Sequence, residues 1–125
     1  SASLERRAVE LAEHFSYAAE PSDLAKAVTY GRMAARHAMS IFAHGEAQRH
    51  LERALDVQTA LVPADKASEC ELLLDLGRVL VAGGDRPRIV NEVAPQALAI
   101  AQQLNYNAFA FDACWLISRQ SFSKS

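Results

Sequence analysis

An all-α fold built from repeated helix–break–helix units is what this sequence predicts, and three observations predict it. Apolar residues recur at three-and-four spacing along most of the 125 residues. Alanine and leucine abound while glycines number only five and prolines four, a bias towards helix. No stretch of useful length follows the two-residue period of a strand. Half the residues are apolar and 22% are charged, which fits a folded chain with a core of its own. Thirteen basic residues against fifteen acidic ones leave no cationic surplus, so binding to nucleic acid by phosphate neutralisation is disfavoured.

The first expected helix, about Leu4–Ala19, carries Leu4, Ala8, Leu11, Ala12, Phe15 and Ala19 on one stripe. Pro21-Ser22-Asp23 ends it and begins the next, with Ser22 or Asp23 as N-cap. The second, about Asp23–Phe42, turns Leu24, Ala27, Val28, Gly31, Ala34, Ala35, Ala38 and Ile41 inward. A short break at His44–Gly45 leads to the third, about Glu46–Leu61, which presents Ala47, Leu51, Ala54, Leu55, Gln58 and Leu61 and stops at Pro63. Asp65 or Ser68 starts the fourth, running to about Ala82 on Leu72, Leu73, Leu76, Gly77, Val79 and Leu80. Gly83-Gly84 supplies a left-handed C-terminal cap and Asp85 an N-cap for the fifth, about Arg86–Leu104. Pro95 is expected to kink that helix and free the carbonyl near Asn91. Asn105-Tyr106-Asn107 is the last turn, before a sixth helix from about Ala108 to Gln120.

An offset of 42 residues superposes Ala35 on Gly77, Ala38 on Leu80 and Ala47 on Ile89, so one register relates two helical hairpins. Small Ala35, then Ala47 twelve positions on, then Leu51 and Ala54 follow the small–small–large–small pattern of a tetratricopeptide repeat. The bulky aromatic positions of that repeat are mostly absent, Ala38 stands at a usual tyrosine position, and the spacing exceeds the standard one. The expectation is a right-handed, tetratricopeptide-like stack of six antiparallel helices in three hairpins, one domain over residues 1–125. The opening Ser1-Ala2-Ser3, without a methionine, reads as the start of a piece excised from a longer protein.

Four segments carry a resemblance. Glu10-Leu-Ala-Glu-His-Phe15, the Ala-rich second helix, Glu46-Ala-Gln-Arg-His-Leu-Glu-Arg-Ala-Leu55 and Glu71-Leu-Leu-Leu-Asp-Leu-Gly-Arg78 resemble the helical-repeat arm of large bacterial signal-transduction ATPases. That family includes LuxR-type large ATP-binding regulators and predicted ATPases linked to adenylate cyclase. The resemblance spans roughly residues 5–118. It implies an interaction or sensing arm in a multidomain transcriptional regulator or cyclase-linked ATPase, and supplies no catalytic residue to carry over. No Gly-x-x-x-x-Gly-Lys-Ser/Thr loop is present in these residues.

The residues themselves favour a non-catalytic module without metal or cofactor. His44, Glu46 and His50 offer two imidazoles and one unoriented carboxylate, short of a fixed metal shell. They read instead as a turn residue and an i,i+4 pair. Gly83-Gly84-Asp85 runs into Arg-Pro-Arg with no acidic partner and reads as a cap and turn. Cys70 and Cys114 are isolated thiols, which suits a reducing cytoplasm; no signal peptide or membrane-length apolar run is visible.

In a tetratricopeptide-like stack the first helix of each hairpin lines the concave groove. That places Thr29, Arg32, Arg36 and Met39 there from one hairpin, and Glu71, Leu74, Arg78 and Val81 from the next. Arg32, Arg36 and Arg78 beside Met39 and Val81 suit an acidic protein segment, within the parent chain or outside it. The rival expectation from another class is a helical enzyme, or a domain holding a small effector in that groove. Five of the nine aromatic residues fall from Tyr106 onward, more than one neighbouring helix can bury. Phe109, Phe111 and Trp115 are therefore expected to meet a following repeat in the parent, and to drive homodimerisation of this chain.

Overall fold

A computed structural model describes residues 21–61 and 64–122. Among these every regular element is a helix. We label them α1 (Pro21–Ser40), α2 (His44–Leu61), α3 (Lys66–Gly83), α4 and α5 (Asn107–Phe122). The fourth, α4, is continuous but composite: α-helical at Arg86–Arg88, π-helical at Ile89–Val93 and α-helical again at Ala94–Leu104. Five helices thus stand where six were expected, because the helix over 4–19 lies outside the described residues. No helix among the described residues is long and apolar enough to cross a membrane. The described chain divides at Asp65/Lys66 into two compact units.

The first unit is the hairpin of α1 and α2. Among its described residues, Ala27, Ala34, Ala35, Ala38, Ala47, Leu51 and Ala54 are buried. A Cβ added at Gly31 would stand 3.2 Å from the Cβ of Ala54, so the two backbones approach closely at that point. Gly31 and Ala54 lie about equally far along the chain from the link at Phe42, the register of an antiparallel pair. As described, α1 runs from Pro21, so Ser22 and Asp23, expected as N-cap, lie within the helix.

The second unit packs α3 against both α4 and α5, and α4 against α5. Larger side chains fill it: Leu72, Leu73, Leu76, Leu80, Ile89 and Leu116 are buried. Gly77 makes room for one of them, since a Cβ there would stand 2.6 Å from Leu116 Cδ1. Across the α3–α4 seam the Cys70 thiol donates to the Ala97 carbonyl at 3.4 Å.

Three of the helix links are closed in the same way. Phe42, Gly84 and Asn105 each take a left-handed conformation, at φ 60°, 82° and 60°. In each, two amides bond backwards onto the last helical turn. Ala43 N–H reaches Ala38 O at 2.8 Å and Phe42 N–H reaches Met39 O at 3.1 Å. Asp85 pairs likewise with Leu80 at 3.0 Å and Gly84 with Val81 at 3.3 Å; Tyr106 pairs with Ala101 at 2.9 Å and Asn105 with Gln102 at 3.2 Å. This is the Schellman closure, which satisfies carbonyls that the helix end leaves orphaned. The residue after the left-handed one then begins the next helix: the carbonyls of Ala43, Asp85 and Tyr106 accept from Ala47, Ile89 and Ala110. Only Asp85 adds a side-chain cap, to Arg88 N–H at 3.4 Å.

The cap at Gly84 and the Asn105 turn thus stand as expected, whereas the first break is displaced. It lies at Ile41–Ala43, and His44 and Gly45 belong to the first turn of α2. Phe42, not Gly45, takes the left-handed position, and Ile41, expected inward, is exposed. The 42-residue register nonetheless holds at the link itself, because Phe42 corresponds to Gly84.

Burial follows that register and then slips once. Gly31, Ala34, Ala35 and Ala38 are buried, as are their counterparts Leu73, Leu76, Gly77 and Leu80. Ala47 and Ile89 match at the same offset, but beyond the π-turn Ala54 matches Ala97 and Gln58 matches Ala101, one residue later. A π-turn closes from i to i+5, here from Ala94 N–H to Ile89 O, and so holds one residue more than an α-turn. It also contains the carbonyl of Asn91, which Pro95 cannot satisfy.

Two predictions follow from these links and this turn. Phe42→Gly relieves a left-handed aromatic and raises stability by about 1 kcal/mol, while Gly84→Ala lowers it by about as much; urea unfolding of both variants measures this. Deleting Glu92 together with Pro95→Ala leaves a cooperative unfolding transition by circular dichroism. Deleting Val79 from α3, where no such turn absorbs the change, costs about 3 kcal/mol or more.

Candidate interaction surfaces

The positions predicted for a groove occupy two helices in different units. On α1, Thr29, Arg32, Arg36 and Met39 follow one another along a single face at helical spacing. Thr29 and Arg36 are exposed, and Arg32 and Met39 are half-buried. Thr29 donates back to the Ala25 carbonyl at 3.1 Å, the local bond a helical threonine makes when it faces water.

On α3 the predicted set is less uniform. Leu74 is only 2% exposed, a core residue that no partner reaches without local opening. Glu71 and Val81 are half-buried. Arg78 is exposed but engaged: its guanidinium meets Asp75 at 3.1 Å and Asp112 of α5 at 3.3 Å. Its charge is already matched within the second unit.

The sequence reading missed the residues just after α1. Ile41 is 57% exposed and Phe42 82% exposed, with the Phe42 ring edge-on to His44 at 6.4 Å between centroids. A bulky aromatic at positive φ is costly, and here it buries little surface in return. The available signal was the apolar Ile-Phe pair at a helix end lacking glycine. The last two turns of α1 and this link therefore carry Arg36, Met39, Ile41 and Phe42 within seven residues.

The aromatic residues of α5 divide as follows. Phe109 is half-buried and meets Tyr106 edge-on at 5.4 Å. Phe111 is 70% exposed and Trp115 46% exposed, on the side of α5 opposite buried Ala113 and Leu116. The Arg119 guanidinium lies 5.4 Å from the centre of the Trp115 ring, within cation–π range.

Of the described histidines and cysteines, His50 and Cys70 are buried. His50 is buried in the first unit and His44 opens α2, while His14 lies outside the described residues. Among the described residues no group of three or more His, Cys, Asp or Glu is placed to hold a metal. Gln58 is buried, and its amide donates to the Asp65 carbonyl at 3.3 Å. Burial pushes the Cys70 thiol from 9.0 up to about 11, with the negative charges of Glu71 and Glu69 adding to the effect. It is therefore a neutral thiol at physiological pH and a poor nucleophile. Cys114 is exposed.

The sign of the Cys70 effect is fixed by its raised value. Between pH 9.0 and about 11 the folded chain holds a proton that the unfolded chain has lost, so the stability it confers is complete below pH 9.0 and lost as pH approaches 11. Wild type should therefore lose more stability across that window than Cys70→Ala, measured by urea unfolding against pH. A thiol reagent at pH 8 should titrate Cys114 promptly and Cys70 only on unfolding.

Compared with known proteins, the chain matches no family model, no curated protein and no solved structure.

Proposed function

We propose that this chain is a non-catalytic, tetratricopeptide-like interaction module whose α1 surface binds an acidic, amphipathic segment of another protein or of its own parent. The observation that carries the reading is Phe42: a bulky aromatic held at φ 60° and left 82% exposed. Such a residue costs the isolated fold free energy and returns little packing, the profile of an anchor whose burial occurs in a complex. Ile41 adds apolar surface beside it, and Arg36 and Met39 precede it on α1. Cationic and apolar groups side by side suit a partner helix with carboxylates flanking an apolar stripe.

The recurrence of one helix link in a 42-residue register supports a right-handed helical stack, an architecture whose role is to display extended surfaces. Within that reading the module belongs to a bacterial cytoplasmic regulator, as the arm of a signal-transduction ATPase of the LuxR-type or cyclase-linked kind. The groove set of α1 extends to Thr29 and Arg32, while Glu71 and Val81 mark the corresponding stretch of α3.

The test uses the stability effect already described. Fluorescence anisotropy with a panel of labelled acidic amphipathic peptides should find binding that weakens with salt, and that Arg36→Glu reduces by about tenfold. Phe42→Gly should bind at least tenfold more weakly while unfolding at higher urea. Peptide affinity unchanged in both variants would sink the assignment.

A further inference from the structure

The outer side of α5 has the pattern of a helix-pairing seam. Ala108, Phe111, Trp115 and Ser118 recur at steps of three, four and three residues, and all four are exposed. The inner side is already occupied, with Ala113 and Leu116 buried in the second unit. Phe111 and Trp115 make this the most aromatic exposed helix face among the described residues.

Two charged residues occur on α5, Asp112 and Arg119. They stand seven residues apart, two helical turns, and so flank the seam on the same side. Both are held near it: Asp112 is oriented by Arg78 at 3.3 Å, and Arg119 lies over the Trp115 ring at 5.4 Å. The Asp112 side chain keeps 42% of its surface exposed.

This arrangement is self-complementary in one orientation only. A second α5 laid antiparallel, with the two-fold axis passing close to Trp115, sets Asp112 of each copy opposite Arg119 of the other. A parallel two-fold copy carries its charges to the opposite edge of the seam, where no aspartate meets an arginine. Antiparallel packing also opposes the helix dipoles favourably. An isologous two-fold contact requires a patch that complements itself, and opposite charges spaced symmetrically about an aromatic centre meet that requirement.

We propose that two copies of this chain associate through α5 as an antiparallel, two-fold helix pair, with Phe111 and Trp115 at its centre and Asp112–Arg119 contacts at the two ends of one edge. The proposal does not rest on the function assigned to α1. A contact of one helix face is small, so the dimer is reversible, with a dissociation constant on the order of 10⁻⁵ M.

Sedimentation equilibrium of the whole 125-residue chain, from micromolar to sub-millimolar concentration, tests this. The expected result is a monomer–dimer equilibrium that Phe111→Glu abolishes and that Arg119→Glu weakens about tenfold. The double charge swap Asp112→Arg with Arg119→Glu restores association to within about threefold of wild type, because the antiparallel pair is rebuilt with signs exchanged. Circular dichroism melting of each variant establishes that it is folded. A strict monomer at all concentrations overturns the proposal. So does a dimer indifferent to Phe111→Glu and Arg119→Glu, or a folded charge-swapped chain that does not regain association.

Discussion

The fold depends on one backbone device, the paired backward hydrogen bonds that close α1, α3 and α4 at their C-termini. Each closure satisfies carbonyls that a helix end would otherwise leave bare, and turns the chain within two residues. So short a link leaves the following helix no course but to return along the one before it. Partners such as Gly31 and Ala54, or Cys70 and Ala97, then meet because they are nearly equidistant from a link. The core contacts are consequences of where the left-handed residue falls.

The two units use that device with different fillings. Between α1 and α2 the described buried side chains are mostly alanine, and the two backbones approach closely at Gly31 and Ala54. In the second unit, leucine, isoleucine and valine bury far more, about 1.5–3 kcal/mol for each large side chain, and Gly77 yields space to Leu116. The hairpin of α1 and α2 is the one that carries Phe42 at positive φ. In the proposed function that strain is offset when the exposed Phe42 ring is buried on binding.

Much of this was legible in the sequence, and the misreadings have physical causes. The helical periodicity, the Gly84 and Asn105 caps and the Asp85 N-cap were readable because each depends on a residue type with few other uses. The first link was misplaced by three residues because glycine is the usual occupant of a left-handed cap, and Gly45 drew the break towards itself. Phe42 carries no propensity for that position; only the closing hydrogen bonds to Ala38 and Met39 reveal it. Leu74 was assigned to a groove from its place in a repeat pattern, but a helix packed on two neighbours buries more of its circumference than one stripe. Conversely, the exposed seam of α5 could be anticipated only as an excess of aromatics, because which of Phe109, Phe111 and Trp115 faces outward depends on how α5 sits on α3 and α4.

The π-turn in α4 bears on how such a chain tolerates change in length. One additional residue in an α-helix rotates everything downstream by about 100°, enough to exchange the inside of the helix for its flank. Without compensation, Gln96 and Gln103 would swing towards the leucine core while Ala97 and Ala101 left it. By taking the surplus residue into a single wide turn, α4 behaves as a phase corrector: the helix before and after keeps the same face inward. A helical array with such a corrector can gain a residue in mid-helix and keep its neighbours unaltered. Its length is therefore less tightly bound to its packing than the 42-residue register would imply.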